Sequence, residues 1–502
     1  MVSVNSVSFV PNIKPKTKIV CTLGPSTASD ETIRSLIVGG MSVARLNLTH
    51  GTLDAHATAI RQVRAASDEL GQPVGIMVDV PGPKYRTGYQ DPGVINLTDG
   101  SALTLTSREV QGNPGLLSVS PPGIHRDAAA GDPILIDDGN VRVTVLEVNG
   151  EDVQCRVDVG GRITERRGVT TPGKAPALPF LDERAKSGLR FAAEIDADFV
   201  ALSNVTQHND VAMARDILKE HDPDPYIVSK IERAEALENF ESILEASDAI
   251  MVARGDMGVE VPLARVPVIQ KQLIAICNHR GKPVITATQM MESMVRSPTP
   301  TRAEVTDVAN AVYDGTDAVM LSGETAVGKY PVKAVEAMRD VALQAEANLP
   351  YATMIRDKDT DLEEQTDDAI SYDACRTAFQ LNARLIVAFT ESGATAGRVA
   401  KYRPLARILA LTPQERVRRR LTLRWGVTPL IVSGLKNVED FFNQGRQSAL
   451  DSGQMSEWGK VVLVAGVPIG VRGGTNFLYV MDITSDTDSG PDRTAPGRTV
   501  SG

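Results

Sequence analysis

The sequence has few cysteines, no long apolar run and no excess of positive charge. Its cysteines, Cys21, Cys155, Cys277 and Cys375, lie far apart, so it has neither the paired spacing of a structural metal site nor a disulfide framework. No apolar run is long enough to span a bilayer, and the amino terminus lacks the apolar segment of a secretory signal. The formal net charge of −10 argues against a nucleic-acid-binding surface. We therefore expect a soluble, cytoplasmic protein.

Length and composition suit several domains. The chain has 502 residues, of which 42% are hydrophobic, and this is enough for three cores rather than one. Because the overall charge is negative, any site for a polyanionic substrate must concentrate its positive charge locally.

Eight short apolar runs rich in β-branched residues predict strands. They are residues 18–23, 43–48, 74–80, 199–202, 226–231, 249–253, 283–287 and 318–321. Segments with helical periodicity lie between most of them, at residues 30–40, 53–70, 210–221, 237–246 and 266–280. Strand and helix repeated in this way are typical of a (β/α)8 TIM barrel, an α/β fold. We assign residues 17–82 and 181–348 to the barrel, after an N-terminal segment of residues 1–16.

Residues 83–180 interrupt the barrel after its third strand. Alternating patterns at residues 102–105, 134–136, 141–145 and 153–157 predict an inserted all-β domain, a β-barrel lid. The insertion would overhang the active face, where a mobile lid excludes water from a reactive phosphate. Its turn Asp137-Asp138-Gly139 would approach the metal and nucleotide, although the same residues are also an ordinary hairpin turn. An insertion without a catalytic role is the alternative.

Residues 349–483 predict a C-terminal open α/β domain with a regulatory role. A helix at residues 369–381 precedes strands at residues 385–389, 407–411, 426–432, 460–465 and 478–481. A basic run in this domain either binds anions or coats a helix; it comprises Arg416, Arg418, Arg419, Arg420 and Arg424. Residues 484–502 contain almost nothing apolar and should form a disordered tail.

Polar clusters follow five of the predicted barrel strands. They are residues 45–47, 229–232, 253–256, 287–289 and 322–325. Because parallel strands of a barrel end on one face, the clusters would form a single site with a lysine, carboxylates, an arginine and hydroxyls. Lys230 and Glu232 are two residues apart on a strand, so their side chains point to the same side. This set suits phosphoryl transfer with a divalent cation.

Several long motifs resemble those of the pyruvate kinase family. They are KTKIVCTLGP at residues 16–25, VARLNLTHG at 43–51, IMVARGDMG at 250–258, ATQMMESM at 287–294, PTRAE at 300–304 and the run at 307–325. The resemblance covers nearly the whole chain except its termini. It implies a glycolytic phosphotransferase that moves the phosphoryl group of phosphoenolpyruvate to ADP, giving pyruvate and ATP. It also implies a homotetramer under allosteric control.

The resemblance also assigns roles to single residues. Glu232 and Asp256 would bind Mg²⁺, or Mn²⁺, as hard oxygen ligands. The residues expected to act in catalysis are Lys230, Arg45, Thr288 and Ser322, with Glu324 beside Ser322 in a proton relay. Those expected to bind substrate are Lys230, Gly255, Asp256, Thr288 and Arg86, with the Gly255 and Asp256 N–H groups at the substrate carboxylate. Those expected to bind nucleotide are Arg45, His50, Asn47 and Arg86. Thr288 as a core threonine and His50 as a structural histidine are the alternatives.

Residues 79–88, DVPGPKYRTG, depart from the commonest form of the family. Many members bind K⁺ through oxygen ligands and have glutamate where this chain has Lys84. The positions of those ligands correspond here to Asn47, Thr49, Asp79 and Val80. An ammonium near the phosphate site would supply the charge that K⁺ otherwise brings, so we expect K⁺ not to be required. An exposed hinge lysine is the alternative.

One further region matches the family pattern, and another departs from it. Small hydroxyl residues and a glycine match the place where many members bind a phosphorylated effector, and helix capping explains the same residues equally well. They are Thr390, Ser392, Gly393 and Thr395. Asn204 and Thr206 replace the usual family residues near the substrate pocket, where Asn204 would alter affinity.

Two other functions stay open. A different barrel enzyme acting on an enol phosphate or a related α-keto acid would keep the metal and the lysine but change the pocket. A catalytically silent regulator would be expected to have lost Lys230, Glu232 or Asp256, and this chain retains all three.

Overall fold

The computed structural model describes residues 14–483 except residues 92, 175, 221–224, 359–361, 435–437, 456–458 and 469–473. The predicted disordered tail and most of the predicted N-terminal segment therefore lie outside the described residues. By their contacts, the described residues divide into two compact units. The first runs to Pro350 and includes Arg416–Gly426, and the second contains the other residues from Tyr351 onward.

Parallel strands close into a barrel in the first unit, which confirms the predicted fold class. The barrel strands that the structure describes are β1 (Lys18–Thr22), β2 (Met41–Asn47), β3 (Gly75–Val80), β13 (Phe199–Leu202), β14 (Tyr226–Ile231), β15 (Ala249–Ala253), β16 (Val284–Ala287) and β17 (Ala318–Leu321). Each pairs with its neighbour in chain order, and β17 closes against β1. The strand patterns were predicted to within about two residues because these runs are short, apolar and bounded by polar residues.

Helices follow most barrel strands, and several of them, including α1, α2, α4 and α10, begin at polar caps. Ser29 Oγ accepts a hydrogen bond from Thr32 N at the start of α1, and Gly71 ends α2 in the left-handed conformation. The helices of the first unit, apart from one in the lid and one in the 416–426 segment, are α1 (Asp30–Gly39), α2 (Leu53–Leu70), α4 (Glu183–Glu194), α5 (His208–Leu218), α6 (Ala234–Glu238), α7 (Phe240–Ala246), α8 (Arg254–Glu260), α9 (Val266–His279), α10 (Arg302–Asp314), α11 (Gly323–Ala326) and α12 (Pro331–Ala347).

The barrel strands are buried on both faces. On β1, Val20 belongs to the core inside the barrel, whereas Ile19 and Cys21 pack toward the surrounding helices. The same division continues around the barrel, where Met77 and Met251 lie inside. Because side chains alternate along a strand, a continuous apolar run fills both cores at once.

Three aspartates repeat one contact at the amino ends of the strands. Asp198 precedes β13 and accepts a hydrogen bond from Ile76 N at 2.8 Å. Asp248 precedes β15 and accepts one from Ile227 N at 2.8 Å, and Asp317 precedes β17 and accepts one from Val284 N at 3.1 Å. Each carboxylate therefore ties its own strand to the strand before it.

The segment Arg416–Gly426 packs at the amino ends of these strands, although the sequence places it within the C-terminal domain. It contains most of α16 (Glu415–Arg420) and a 3₁₀ turn at Leu421–Leu423. Arg419 Nε donates to Asp198 Oδ1 at 2.8 Å, and Leu423 joins the core inside the barrel. Arg416 pairs with Asp196 at 2.6 Å. The basic run therefore contacts acidic residues of the barrel.

The inserted lid is all-β apart from the short helix α3 (Ile124–Asp127), as predicted. Its closed barrel contains β4 (Tyr85–Thr87), β6 (Ala102–Thr106), β7 (Leu116–Ser120), β8 (Pro133–Ile136), β9 (Val141–Asn149), β10 (Asp152–Val159) and β12 (Gly168–Thr170). Beside it, β5 (Val94–Leu97) pairs with β11 (Gly161–Thr164). Asp137 and Asp138 adopt positive φ angles of 56° and 54° in the turn between β8 and β9, the conformation that a tight hairpin requires.

The second unit is an open α/β sheet in the order β20, β19, β18, β21, β22, and β22 is antiparallel to β21. Its described strands are β18 (Leu385–Phe389), β19 (Arg407–Thr412), β20 (Val427–Ile431), β21 (Gly459–Ala465) and β22 (Phe477–Ile483). Its described helices are α13 (Tyr351–Asp357), α14 (Thr366–Gln380), α15 (Ala394–Lys401) and α17 (Val438–Asp451). None of the helices that the structure describes combines the length and apolar character that a membrane crossing requires.

Candidate active site

A cavity of about 620 Å³ opens at the carboxyl ends of β2, β3, β13 and β14. Polar and charged side chains of the barrel and the lid dominate its wall. Its lining includes Arg45, Asn47, Thr49, His50, Asp79, Lys84, Arg86, Asp137, Asp138, Arg166, Arg167, Arg184, Ser203, Asn204, Lys230, Glu232 and Asp256. Three of the five predicted clusters therefore contribute residues to one cavity.

Lys230 and Glu232 lie at the end of β14 and face the same side of the sheet. Lys230 Nζ is 2.9 Å from Glu232 Oε1, and it donates a hydrogen bond to Ser203 Oγ at 2.9 Å. Burial by itself lowers the pKa of Lys230, but the nearby Asp79 and Glu232 carboxylates outweigh it and raise that pKa. The ammonium is therefore charged and held in a fixed position.

Asp79 links this lysine to Arg45. Its Oδ1 lies 3.4 Å from Lys230 Nζ, and its Oδ2 accepts a hydrogen bond from Arg45 Nε at 2.9 Å. Burial alone raises the pKa of Asp79, but Lys230 and Arg45 lower it below its ordinary value. Thr22 Oγ1 accepts from Arg45 Nη1 at 2.8 Å and orients the guanidinium further.

Asp256 lies in the first turn of α8 and pairs with Lys84 of the lid connection. Lys84 Nζ lies 2.6 Å from Asp256 Oδ1. Burial by itself raises the pKa of Asp256, but Lys84 and then Lys230 lower it. The same burial lowers the pKa of Lys84, and Asp256 reverses that effect. Both groups are therefore charged at neutral pH.

Glu232 and Asp256 have the chemistry of a Mg²⁺ site. Asn204 N donates to Glu232 Oε2 at 2.8 Å. Glu232 Oε1 is buried and, within the described part of the chain, accepts no hydrogen bond, because Lys230 approaches at ion-pair distance without hydrogen-bond geometry. The described residues contain no cluster of three or more His, Cys, Asp or Glu side chains that would hold a metal ion. Mg²⁺ suits one or two carboxylates completed by substrate oxygens, so the residues present fit this ion.

Gly255 and Thr288 contact each other at the ends of β15 and β16. Gly255 N donates to Thr288 Oγ1 at 2.7 Å, so this N–H already has a partner. Thr288 has a positive φ of 69°, which is strained for a β-branched residue. Arg254 Nη2 donates to Thr288 O at 2.7 Å, and both oxygens of Asp307 hold the same guanidinium at 2.7 Å. This network fixes the strained backbone.

Ser322 and Glu324 lie at the end of β17. Glu324 is buried and accepts hydrogen bonds from Ser322 N at 2.7 Å and Met291 N at 3.0 Å. The two amide donors lower the pKa of Glu324, but burial outweighs them and raises it above its ordinary value. The hydroxyl of Ser322 is buried without a hydrogen-bond partner among the described residues. Neither Ser322, Gly255 nor Thr288 is among the described residues that line the cavity.

The residues predicted to bind nucleotide, Arg45, Asn47, His50 and Arg86, all line the cavity. Asn47 Oδ1 accepts from Thr49 N at 3.1 Å, and His50 is exposed. Partial burial of the ring, together with Arg86, Arg184 and Arg45, lowers the pKa of His50. Its imidazole is therefore neutral at pH 7. Burial and the neighbouring Arg166 and Arg184 also lower the pKa of Arg86.

The lining residues that were not predicted include Ser203, Arg166, Arg167 and Arg184. Ser203 bridges Lys230 and Asp79 through its hydroxyl. Arg184 lies in the first turn of α4 and donates to Leu48 O at 2.8 Å. Ser203 directly follows a predicted strand and was the one residue whose position in the sequence offered a signal. The arginines come from the lid and from the helix after it, and no local pattern distinguishes them from surface residues.

Asn204 and Thr206 have different environments. Asn204 lines the cavity with a positive φ of 57°, and its backbone N–H rather than its side chain holds Glu232. Thr206 contacts Asp210, whose Oδ2 accepts from both Thr206 N and Oγ1. Thr206 therefore helps to begin α5.

The predicted effector residues lie in the second unit at the start of α15. Thr390 Oγ1 accepts from Gly393 N at 2.9 Å, and the Thr395 and Thr475 hydroxyls are 3.0 Å apart. Ser392 is exposed. Two of the three hydroxyls therefore already have partners within the unit, but no side chain caps α15 at its N-cap residue Gly393, so these contacts are not those of the capping alternative.

Comparisons with known proteins all find similarity to pyruvate kinases. The model of the pyruvate kinase barrel domain matches residues 14–335, and that of the pyruvate kinase alpha/beta domain matches residues 368–481. Over 467 residues the chain is 43% identical to a pyruvate kinase of Staphylococcus epidermidis, covering 93% of this chain and 80% of the relative. It is 42% identical to one of Staphylococcus aureus over the same shares.

A solved structure is also similar. A crystal structure of a pyruvate kinase from Cryptosporidium parvum superimposes with a TM-score of 0.88 at 37% sequence identity, and the match covers 93% of this chain and 96% of that one.

Proposed function

Since the chain belongs to the pyruvate kinase family, we propose that it transfers the phosphoryl group of phosphoenolpyruvate to ADP with Mg²⁺ and without a requirement for K⁺. The chain is a phosphotransferase by its family, and pyruvate and ATP are the products that this family implies. The choice of cations and the roles of single residues are the proposed part.

The observation that supports the proposal most strongly is the buried group around Lys230. Asp79 and Glu232 lie within 3.4 Å and 2.9 Å of its ammonium, and Asp256 lines the same cavity. During transfer the charge spreads over the equatorial oxygens of the phosphoryl group. An ammonium that is fixed beforehand stabilises this charge without reorganising in the reaction.

Glu232 and Asp256 would hold Mg²⁺, which would supply positive charge to offset the charge of the phosphate oxygens. Arg45 and Arg86 would orient phosphate oxygens, because planar guanidinium groups form paired hydrogen bonds with them. His50 and Asn47 would contact the nucleotide. The substrate carboxylate would replace Thr288 Oγ1 as the acceptor of the Gly255 N–H, beside Asp256 and Thr288. Ser322 would pass the proton to the enolate carbon.

Lys84 would supply the charge that K⁺ brings in other members. Its ammonium is one of the cationic groups of the cavity that Asn47, Thr49 and Asp79 also line. Both oxygens of Asp79 are already within 3.4 Å of a protein cation, so this carboxylate needs no further ion. Val80 O would likewise remain without a bound ion.

A coupled assay of pyruvate formation from phosphoenolpyruvate and ADP tests the proposal. We expect turnover that stops when a chelator removes Mg²⁺, that Mn²⁺ restores, and that persists when a large organic cation replaces K⁺. Collapse of activity without K⁺ would reject the role of Lys84. Absence of pyruvate under every condition would reject the activity.

We also propose a cytoplasmic homotetramer with a phosphorylated effector at Thr390, Ser392, Gly393 and Thr395. Large apolar side chains are exposed on neighbouring helices, with Leu263 at 73%, Val268 at 55% and Tyr313 at 50%. Such exposure suits a surface between subunits. Light scattering measures the assembly, and titration of activity with sugar phosphates and nucleoside monophosphates tests the effector.

A further inference from the structure

Arg233 and Glu260 form a buried ion pair that the proposed phosphoryl transfer leaves without a role. Arg233 Nη1 lies 3.1 Å from Glu260 Oε1, and the two side chains are only 8% and 4% exposed. Arg233 directly follows Glu232 in the chain, and Glu260 lies one helical turn after Asp256 in α8. Each member of the pair is therefore attached to one of the two proposed metal ligands.

The same pair holds the backbone of the lid where it returns to the barrel. Gly173 N donates to Glu260 Oε2 at 3.1 Å, and Arg233 Nη2 donates to Lys174 O. Lys174 is in turn fixed to the lid, because its Nζ lies 2.5 Å from Asp132 Oδ2. A continuous path of ionic and hydrogen bonds thus runs from the lid barrel to the residues beside Glu232 and Asp256.

This path lies directly beside the active site. Arg233, Glu260 and Lys174 line a small cavity together with Glu232 and Asp256. Lid residues Asp138 and Arg166 line the main cavity, so movement of the lid moves groups that face the nucleotide and metal. Removing one partner of a buried ion pair is strongly destabilising, because the charge of the other partner stays buried with less compensation.

We propose that Arg233 and Glu260 are positioning residues that fasten the returning lid connection beside the metal and thereby set the affinity for the metal-bound nucleotide. This inference rests on the proposed function, since it assigns the lid side of the cavity to Mg²⁺-ADP. Neither residue is a catalytic group: they act on the lid backbone at Gly173 and Lys174. Residues that support a metal site from outside its ligands typically affect affinity by about tenfold to a hundredfold, and we expect an effect at the lower end of this range.

The test uses the full chain with Arg233→Met, Glu260→Gln and the double variant. We expect each single variant to raise the KM for Mg²⁺-ADP about tenfold, with a change in kcat below about twofold. We expect the double variant to resemble the single ones, because both changes remove the same interaction. Amide hydrogen exchange at Gly173 should become faster in all three variants. Glu260→Gln keeps the size of the side chain and is the variant least disturbed in folding.

Glu69→Gln is the matched control, because Arg34 and Glu69 form a 2.8 Å ion pair on the surface, and its KM should equal that of the unaltered chain. An unchanged KM for Mg²⁺-ADP in Arg233→Met and Glu260→Gln would overturn the inference, even if their melting temperatures fall. Failure of the unaltered chain to make pyruvate would instead reject the proposed function. Unchanged exchange at Gly173 would overturn the inference whether or not the chain is active.

Discussion

Lys84 Nζ lies 2.6 Å from Asp256 Oδ1. The segment that leads into the lid therefore places an ammonium beside a carboxylate that we propose as a Mg²⁺ ligand. Asp138 and Glu232 also contribute to the raised pKa of Lys84. Lys84 therefore offsets negative charge from three carboxylates at the cavity. Replacing it changes the local charge in a way that an external cation is able to compensate.

Lys84→Glu should make activity depend on K⁺. The added carboxylate increases the negative charge beside Asp256, and a monovalent cation restores the balance. We expect activity near zero in a large organic cation and recovery when K⁺ is added, whereas the unaltered chain is active in both. Lys84→Met is the control, since it removes the ammonium without adding a carboxylate. Equal activity of Lys84→Glu in both salts would contradict the role of Lys84.

Lys230→Met should reduce kcat by about a hundredfold to a thousandfold, because it removes a preorganised charge from the transferring phosphoryl group. Loss of the ammonium also leaves Asp79 and Glu232 with less compensation, so the melting temperature must be measured alongside the rate. Arg254→Lys is not a suitable control, because Arg254 holds Thr288. Lys186→Met is suitable, since Lys186 pairs on the surface with Glu183 at 2.8 Å. A Lys230→Met enzyme with an unchanged rate would exclude this residue from the chemistry.

The sequence was sufficient for the barrel, the lid and the lysine-carboxylate pair, and it failed where contacts are long-range. Lys230 and Glu232 were predictable because residues two apart on a strand share a side. Arg166 and Arg184 reach the cavity from the lid and from α4, and no periodic pattern marks them. The pairing of Arg419 with Asp198 joins residues 221 positions apart, so the basic run gave no indication that it packs against the barrel.

The Gly255 N–H illustrates a second limit. Its predicted role needs a free donor, but Thr288 Oγ1 occupies it. The contact depends on the positive φ of Thr288, a conformation that the residue type disfavours and that Arg254 and Asp307 hold in place. Sequence patterns describe the preferred conformations of residues, so a strained one at a functional site escapes them.

Gly82→Ala should lower kcat/KM by about a hundredfold, the scale of a misplacement of about 1 Å. A Cβ at Gly82 would lie 2.1 Å from Ser203 O, which is too close for two atoms that are not bonded to each other. Ser203 must then move, and its hydroxyl contacts both Lys230 and Asp79. Gly115→Ala is the matched control, because the nearest atom to its added Cβ is 3.6 Å away. Full activity of Gly82→Ala would show that Ser203 does not set the position of Lys230.

Asp198→Asn should destabilise the first unit by about 3 kcal/mol or more, the scale of a broken buried ion pair. The Asp198 side chain is fully buried between Arg64 and Arg419. Asparagine removes the charged partner of Arg64 and one of the charged partners of Arg419, which also pairs with Asp196. Asp196→Asn is the control, because its side chain is 57% exposed and surface pairs contribute about 1 kcal/mol or less. Denaturant unfolding measures both variants. Equal stability of the two would mean that the amino end of the barrel does not depend on Asp198.

Glu304 should make the stability of α10 depend on pH. Thr301 and Glu304 form a capping box, and Glu304 also accepts hydrogen bonds from Ser293 N at 2.7 Å and Ser293 Oγ at 2.6 Å. Burial by itself raises the pKa of Glu304, but these donors lower it below the ordinary 4.5. Folding therefore favours the ionised form of Glu304. Its contribution to the free energy of unfolding is complete above pH 4.5 and is lost as the pH falls through the lower pKa of the folded state.

Glu304→Gln should accordingly cost about 0.3–1 kcal/mol at pH 7, the scale of losing a negative charge from the first turn of a helix, because glutamine still accepts hydrogen bonds in the capping box. The difference in melting temperature between this variant and the unaltered chain should shrink as the pH is lowered from 5 toward about 3, because protonation of Glu304 makes the two side chains alike. Glu31→Gln provides the comparison, since Glu31 lies exposed in the first turn of α1 and should give a smaller difference. A Glu304→Gln difference that stays constant over this range would show that the charge of Glu304 does not stabilise the cap.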